Sequence, residues 1–199
     1  MTSGPDIVVV TGLSGAGRST ALRVLEDAGF FCVDNLPPGL APALIDLVRS
    51  EGKLERLGLG IDVRTGAFLS GAEETLSELE ASGHRVQVIF LDCADDVLVR
   101  RFSETRRPHS LSRTGDLQGA IARERERLSG LRARADIVVD TTDFSVHDLR
   151  HHLIDYIGRD TDRPSMVVRL LSFGFKYGVP VDADLVFDLR FLPSPHVVD

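Results

Sequence analysis

The feature that most constrains the fold of this chain is a glycine-rich segment near its start, GLSGAGRS at residues 12–19. A short, continuously apolar and β-branched run, residues 7–10, precedes it. The residues that follow carry apolar side chains at helical spacing, at Ala21, Leu22, Leu25 and Ala28. The pattern predicts a strand, a tight loop and a helix in succession, which is how many α/β domains begin.

The segment matches the phosphate-loop pattern G-x-x-x-x-G-K-[ST] at every defining position except that Arg18 stands where lysine is expected. Glycines let successive backbone N–H groups curve around a phosphate, and the following helix directs its positive end to the same anion. The sequence therefore predicts a site for nucleoside triphosphates with Mg²⁺, in which Ser19 offers its hydroxyl to the metal. The predicted binding residues are Gly12, Leu13, Ser14, Gly15, Ala16, Gly17, Arg18, Ser19 and Thr20.

Arg18 bears on whether such a site would catalyse a reaction. Lysine occurs at only two positions in the chain, Lys53 and Lys176, so an arginine in the loop fits the general composition. A guanidinium is wider and planar, and the exchange need not preserve catalysis, so binding is the firmer expectation. A glycine-rich turn that only connects the strand and helix is the simpler alternative. A dinucleotide fingerprint does not fit, because the glycines are spaced G-x-x-G-x-G.

The same alternation of strands and helices continues along the chain. Apolar runs predict strands at residues 30–33, 57–63, 86–91 and 137–139, and helical periodicity predicts helices at residues 67–82, 95–105, 116–134 and 146–157. Buried strands separated by helices indicate an α/β fold: a three-layer, P-loop NTPase-like domain with a mostly parallel sheet and helices on both faces, resembling nucleoside-monophosphate kinases. We expect this domain to span residues 1–158. Residues 159–199 are predicted to be a linker and the truncated start of another domain, with strands at residues 166–171 and 185–189.

Three aspartates are predicted to end strands at the edge of the sheet where α/β proteins bind ligands: Asp34, Asp62 and Asp92. Each is a candidate to orient Mg²⁺ or an attacking water. Asp92 follows the most apolar strand, but Asp62 fits nearly as well, and the sequence does not choose between them. A turn or helix cap is the ordinary alternative for each.

A basic segment follows the fourth strand, with Arg100, Arg101, Arg106, Arg107, His109 and Arg113 close together. It suits a lid over phosphates, in which Arg106 or Arg107 would stabilise charge during phosphoryl transfer. These side chains could equally contact nucleic-acid phosphates, or form a solvated face paired with Glu104, Glu124 and Glu126. The later arginines, Arg125 and Arg132 among them, are expected to be ordinary surface charges.

Composition excludes some classes of protein. A net charge of -7 argues against coating of nucleic acid through bulk charge. Cys32 and Cys93 lack the spacing of a zinc site or a disulfide scaffold, so reduced and packed thiols are expected. Without a predicted leader or membrane span, the cytoplasm is the expected location.

A family resemblance is visible in six segments: the loop at residues 12–17, VDNLP at 33–37, DVR at 62–64, RRFSETRR at 100–107, and the pair SFGFKYG at 172–178 and DADLVFD at 182–188. Together they resemble the RapZ/YvcJ family of nucleotide-binding proteins over nearly the whole chain. The last pair resembles the opening of that family's C-terminal domain.

The resemblance implies binding of both ATP and GTP. Residues 12–19 match the family's ATP site, and Asp62, Val63, Arg64 and Thr65 match its GTP-associated site, where Thr65 departs from the usual Asn or Ser. In the RNase-adapter branch, the C-terminal domain binds small regulatory RNA and an amino-sugar phosphate and presents the RNA to an endonuclease. Homo-oligomer assembly is also implied, although most of that domain would lie beyond Asp199.

These observations favour a nucleotide-binding regulatory protein with weak triphosphate hydrolysis and no membrane partner. The main alternative is a small-molecule or nucleoside-monophosphate kinase, since the same loop, acids and lid would serve it. A third is an RNA-binding adapter that acts through residues 100–113 alone.

Overall fold

The computed structural model describes residues 6–51, 56–62, 71–105 and 116–158, together with residues 170–174, 176, 178–179 and 185–188. The chain divides into two compact units, Met1–Arg163 and Pro164–Asp199. The first unit contains all the helices and strands given below.

Five strands form a single sheet in the first unit. They are β1 (Asp6–Gly12), β2 (Phe31–Val33), β3 (Arg56–Gly60), β4 (Val86–Asp92) and β5 (Ile137–Asp140), arranged in the order β2-β3-β1-β4-β5. Every pairing is parallel. Val8, Val9 and Val10 are consecutive and all buried, so both faces of the central strand β1 are covered. The predicted parallel α/β fold is confirmed.

Seven α-helices accompany the sheet in this unit's described residues: α1 (Arg18–Asp27), α2 (Ala41–Glu51), α3 (Ala72–Ala81), α4 (Asp95–Thr105), α5 (Leu117–Arg127), α6 (Ser129–Ala133) and α7 (Val146–Gly158), with a short 3-10 helix at Pro38–Leu40. Helix α1 packs against α7, and Arg150 of α7 donates a hydrogen bond of 2.9 Å to Asp27 of α1. Helix α3 packs against β4, α2 and α6. None of the helices described is long and apolar enough to cross a membrane.

Two helix predictions differ from the structure. A single helix over residues 116–134 was wrong, because the chain leaves helical geometry at the buried Leu128 and divides into α5 and α6. After the break, Arg134 donates to Glu80 and Ser77 of α3, each at 2.6 Å. The helix predicted from residue 67 begins at Ala72, and residues 67–70 lie outside the described residues.

The two cysteines are free thiols in the structure. Cys93 is buried, and the Sγ of Cys32 contacts the carbonyl oxygen of Leu22 at 3.5 Å. Burial, and to a lesser extent the charge of Glu26, raises the pKa of Cys32 to about 11. Cys32 is therefore a packing residue with little thiolate character near neutral pH.

Gly60, at the end of β3, leaves room for a side chain from the neighbouring strand. A Cβ atom at this position would lie 2.5 Å from Oδ1 of Asp34 and 2.9 Å from Cδ1 of Leu22. We expect Gly60→Ala to lower the free energy of unfolding by about 1–2 kcal/mol through overpacking. Urea denaturation measures this change in the free energy of unfolding. Gly39→Ala is the control, because a Cβ there meets nothing within 4 Å; equal stability of the two variants would contradict the prediction.

The second unit is described only in part. Residues 170–171 and 185–188, which belong to the two strands predicted there, are not in strand conformation. The remaining residues of both predicted strands lie outside the described part of the chain. Leu170, Leu185 and Phe187 are exposed.

Candidate functional site

The glycine-rich loop connects the central strand β1 to α1, and its conformation depends on glycine. Gly12 and Gly17 have φ angles of 140° and 107°, which residues with side chains rarely adopt. A Cβ on Gly12 would collide with the backbone of Leu91, and one on Gly17 would lie 2.5 Å from Cδ2 of Leu149. The strand β4 and the helix α7 thus fix the loop from two sides.

The backbone N–H groups of the loop fall into two sets. Leu13 donates to Leu91 at 3.0 Å, Ala16 donates to Leu13 at 2.9 Å, and Ser14 donates to a carboxylate oxygen of Glu124 at 3.1 Å. Among the residues that the structure describes, the N–H groups of Gly15, Gly17, Arg18 and Ser19 have no acceptor. These four donors lie within five consecutive residues, interrupted only by Ala16, and they are the groups that such a loop offers to an anion.

Helix α1 begins without a capping side chain. Its N-cap residue is Gly17, no side chain accepts a hydrogen bond from its first turn, and that turn contains no acidic residue. By contrast, the start of α7 carries a side-chain cap, because Asp148 accepts hydrogen bonds from the N–H and the hydroxyl of Ser145. These bonds lower the pKa of Asp148. The two helix ends border the same cavity, and that of α1 lacks the side-chain cap that Ser145 and Asp148 form at the start of α7.

A cavity of about 490 Å³ lies against the loop. Residues 13–20 form one wall, and the facing wall is formed by Arg101, Phe102 and Glu104 of α4, Thr141, Phe144 and Ser145 after β5, and Val146 and Leu149 of α7. This volume is in the range of sites for small ligands.

Arg101 braces the two walls of this cavity. Its guanidinium donates to the carbonyl oxygen of Gly15 at 3.1 Å and to those of Thr141 and Phe144 at 2.7 and 3.2 Å. The hydroxyl oxygen of Thr141 lies 3.0 Å from the carbonyl oxygen of Ala16. The sequence placed Arg101 in a possible lid, whereas the structure makes it part of the cavity wall.

Arg18, Asp34 and Asp62 come together beside the loop. Nη2 of Arg18 lies 2.6 Å from Oδ2 of Asp62, and its Nε lies 3.5 Å from Oδ1 of Asp34. The side chains of Arg18 and Asp62 are 10% and 1% exposed, whereas that of Asp34 is 47% exposed. The guanidinium of Arg18 is therefore engaged with the carboxylates that follow β2 and β3.

Asp92 occupies a different environment. Its carboxylate accepts hydrogen bonds from Arg125 at 2.7 Å, Arg132 at 3.0 Å and the N–H of Cys93 at 2.8 Å. Burial alone would raise the pKa of Asp92, but these hydrogen bonds outweigh it and hold the pKa below its ordinary value. Asp92 joins β4 to α5 and α6, so the expectation that Arg125 and Arg132 are ordinary surface charges was wrong.

Several candidate residues lie outside the described part of the chain: Val63, Arg64, Thr65, Arg106, Arg107, His109 and Arg113. Arg100 is exposed on α4. Within the described residues there is no group of three or more His, Cys, Asp or Glu side chains that could hold a metal ion.

Sequence reasoning missed Glu124 and Thr141 as residues of the site. Glu124 was considered only as a partner for surface arginines. Thr141 stands in a polar run, Asp140, Thr141 and Thr142, directly after β5, at the same edge of the sheet as the loop. Its position at a strand's carboxyl end was a signal that could have identified it.

The strand order and the glycine loop after the central strand give the domain the α/β fold of P-loop kinases, a nucleoside-monophosphate-kinase-like fold. Shikimate kinase from Acinetobacter baumannii in complex with shikimate superposes with a TM-score of 0.52 at 15% identity, covering 81% of this chain and 97% of that one. The tunicamycin resistance protein of Deinococcus radiodurans has a TM-score of 0.52 at 16% identity, covering 77% and 96%. At these identities the likeness concerns the fold alone.

The chain belongs to the RapZ family: residues 5–161 match the model of the RapZ-like N-terminal domain, and residues 166–199 match that of the RapZ C-terminal domain. A nucleotide-binding protein of Sorangium cellulosum is 53% identical over 98% of this chain and 58% of its own length. One from Streptomyces coelicolor is 48% identical over 98% of this chain and 65% of its own length. The chain thus spans roughly three fifths of these relatives.

Proposed function

We propose that this chain binds nucleoside triphosphates, ATP and GTP, with their phosphates on the loop at residues 12–19. The observation that carries the proposal is the group of four N–H donors, those of Gly15, Gly17, Arg18 and Ser19, at the uncapped start of α1. A bound phosphate would accept these hydrogen bonds, and the positive end of the helix would stabilise its negative charge. The relatives' description as nucleotide-binding proteins supports the same conclusion.

Mg²⁺ is the cation that would accompany the phosphates. The hydroxyl of Ser19, in the first turn of α1, and the carboxylate of Asp62, after the neighbouring strand β3, are the residues that would hold it. Oxygen donors of this kind suit Mg²⁺, which in nucleotide sites is bound by few protein ligands together with phosphate oxygens. The ion would neutralise phosphate charge there.

The proposed role is regulatory, with weak hydrolysis at most. Arg18 is paired with Asp62 and Asp34, and an arginine in this position differs in shape and charge distribution from lysine. Membership of the RapZ family supports coupling of nucleotide occupancy to the C-terminal domain, and through it to small regulatory RNA and an endonuclease. Arg106 and Arg107 remain candidates to stabilise charge in hydrolysis.

Calorimetric titration with ATP, GTP, ADP and GDP in the presence of Mg²⁺ tests the proposal directly. We expect both triphosphates to bind, and to bind more tightly than the diphosphates, because the γ-phosphate adds charge within reach of the loop. Failure of all four nucleotides to bind would refute the proposal for this chain.

The loop's cation supplies a sharper prediction. We expect Arg18→Ala to weaken ATP binding about tenfold, since a charged hydrogen-bond donor is lost near the phosphates, whereas Arg18→Lys should retain most of the affinity. Arg23→Ala, an exposed change on the same helix, is the matched control. Equal affinities of wild type and Arg18→Ala would mean that Arg18 serves only its carboxylate partners.

A kinase acting on a small molecule or a nucleoside monophosphate is the second candidate function. The observation in its favour is that Asp34 is about half exposed beside Arg18 and Asp62, where it could orient an acceptor hydroxyl. Transfer of phosphate from ATP to nucleoside monophosphates, sugars or shikimate-like acids, above hydrolysis, would support it. Hydrolysis without transfer to any of these acceptors would count against it.

A further inference from the structure

Glu124 is a fully buried acidic residue on α5 that binds the phosphate loop. Its Oε2 accepts a hydrogen bond from the N–H of Ser14 at 3.1 Å, and its Oε1 accepts one from the hydroxyl of Ser14 at 2.7 Å. The exposed fraction of Glu124 is 0%. Both carboxylate oxygens are thus used to hold one loop residue that is distant in sequence.

This contact is unlike the others that shape the loop. The N–H groups of Leu13 and Ala16 donate to backbone carbonyls, whereas that of Ser14 donates to a side chain. Within the described residues, Glu124 is the one side chain that accepts a hydrogen bond from an N–H of the loop. The N–H of Ser14 is therefore committed to α5, and the donors left for a ligand begin at Gly15.

Helix α5 is itself tied firmly to the sheet. The next residue, Arg125, donates to Asp92 at 2.7 Å, to the carbonyl oxygen of Cys93 at 2.9 Å and to Asp95 at 2.6 Å. Adjacent residues of one helix thus grip the loop after β1 and the end of β4. The hydrogen bonds of Arg125 therefore hold α5 in place, and with it the position from which Glu124 contacts Ser14.

We propose that Glu124 is a positioning residue, which holds Ser14 so that the four N–H donors of the loop, those of Gly15, Gly17, Arg18 and Ser19, are preorganised for phosphate. The inference rests on the proposed nucleotide binding and adds a residue that acts on it through Ser14. When the carboxylate is removed, the loop must be ordered at the moment of binding, and that ordering lowers affinity.

The test is titration of the 199-residue chain with ATP and Mg²⁺. We expect Glu124→Ala to bind ATP about tenfold more weakly, and Glu124→Gln to stay within about threefold of wild type, because an amide oxygen still accepts from the N–H of Ser14. Glu126→Ala, an exposed change on the same helix, is the control and should bind like wild type. Wild-type affinity in Glu124→Ala would overturn the inference while leaving the proposed function intact. Absence of ATP binding by the wild type would instead refute the proposed function.

A double-mutant cycle separates positioning through Ser14 from a general effect of a buried charge. If Glu124 acts through Ser14, the variant Glu124→Ala/Ser14→Ala should bind ATP no more weakly than Glu124→Ala alone. Losses that simply add would overturn the inference.

A spectroscopic measurement covers the case in which Glu124→Ala folds poorly. The amide proton of Ser14 should exchange slowly in both wild type and Glu124→Gln, because each supplies an acceptor. Replacement of Glu124 by Asp shortens the side chain by one methylene and should speed this exchange while weakening ATP binding. Unchanged exchange and affinity in Glu124→Asp would contradict the assignment.

Discussion

Gly12→Ala is expected to destabilise the protein by about 3 kcal/mol or more, since it combines an unfavourable backbone conformation with a collision that cannot be relieved easily. Gly12 has a φ of 140°, and its missing Cβ would overlap the backbone of Leu91 in the adjacent strand β4. The atoms that the Cβ would meet belong to the backbone of Leu91 and not to a flexible side chain, so β1 and β4 would have to separate. Urea or thermal unfolding gives the magnitude.

Gly83→Ala is the matched control for this prediction. Gly83 also has a positive φ, of 83°, but a Cβ there would meet nothing within 4 Å. Gly83→Ala should therefore lower the free energy of unfolding by about 1 kcal/mol, the cost of the unfavourable backbone conformation alone. If both variants lost the same amount, the collision with β4 would play no part, and the account of the loop given above would be wrong.

Asp92→Asn is expected to lower the free energy of unfolding by about 2–3 kcal/mol at neutral pH, because the carboxylate that joins β4 to α5 and α6 is replaced by a neutral group. The estimate is below that for a fully buried ion pair, since Arg125 and Arg132 are 37% and 51% exposed. Denaturant unfolding at pH 7 measures the difference, and Asp155→Asn, an exposed change on α7, serves as the control.

The difference in the free energy of unfolding between wild type and Asp92→Asn should depend on pH. The pKa of Asp92 is lowered in the folded protein, so its contribution is present above the ordinary aspartate value of about 3.9 and is lost as the pH falls through the folded pKa. The stability gap between wild type and Asp92→Asn should therefore narrow below about pH 4. If this difference in stability stayed constant down to pH 2, the ionised carboxylate of Asp92 would not be its cause.

Much of the fold could be predicted from local pattern. β1, β4 and α4 were located to within two residues, because buried parallel strands are continuously apolar and because acidic residues open α4. The break between α5 and α6 escaped prediction, since Leu128 continues the apolar spacing of a single helix and only the packing of Arg132 and Arg134 on β4 and α3 reveals the turn.

The candidate site was predictable where one short segment supplies it, and much less so where distant segments meet. The loop followed from the spacing of its glycines. The choice among Asp34, Asp62 and Asp92 depended on strand order, which the sequence does not contain: β3 lies next to β1 on the side of Arg18, whereas the carboxylate of Asp92 faces α5 and α6. Glu124 could not be assigned because its partner, Ser14, is far away in the chain.

The position of β1 at the centre of the sheet makes the two ends of the loop mechanically unequal. On the strand side the loop begins in a backbone that is bonded to neighbours on both edges. On the helix side it continues into a first turn in which, among the described residues, the N–H groups of Arg18 and Ser19 have no acceptor. We therefore expect a conformational change on ligand binding to occur in α1 rather than in the sheet. Because α1 packs against α7, such a displacement would also move the contacts between these two helices.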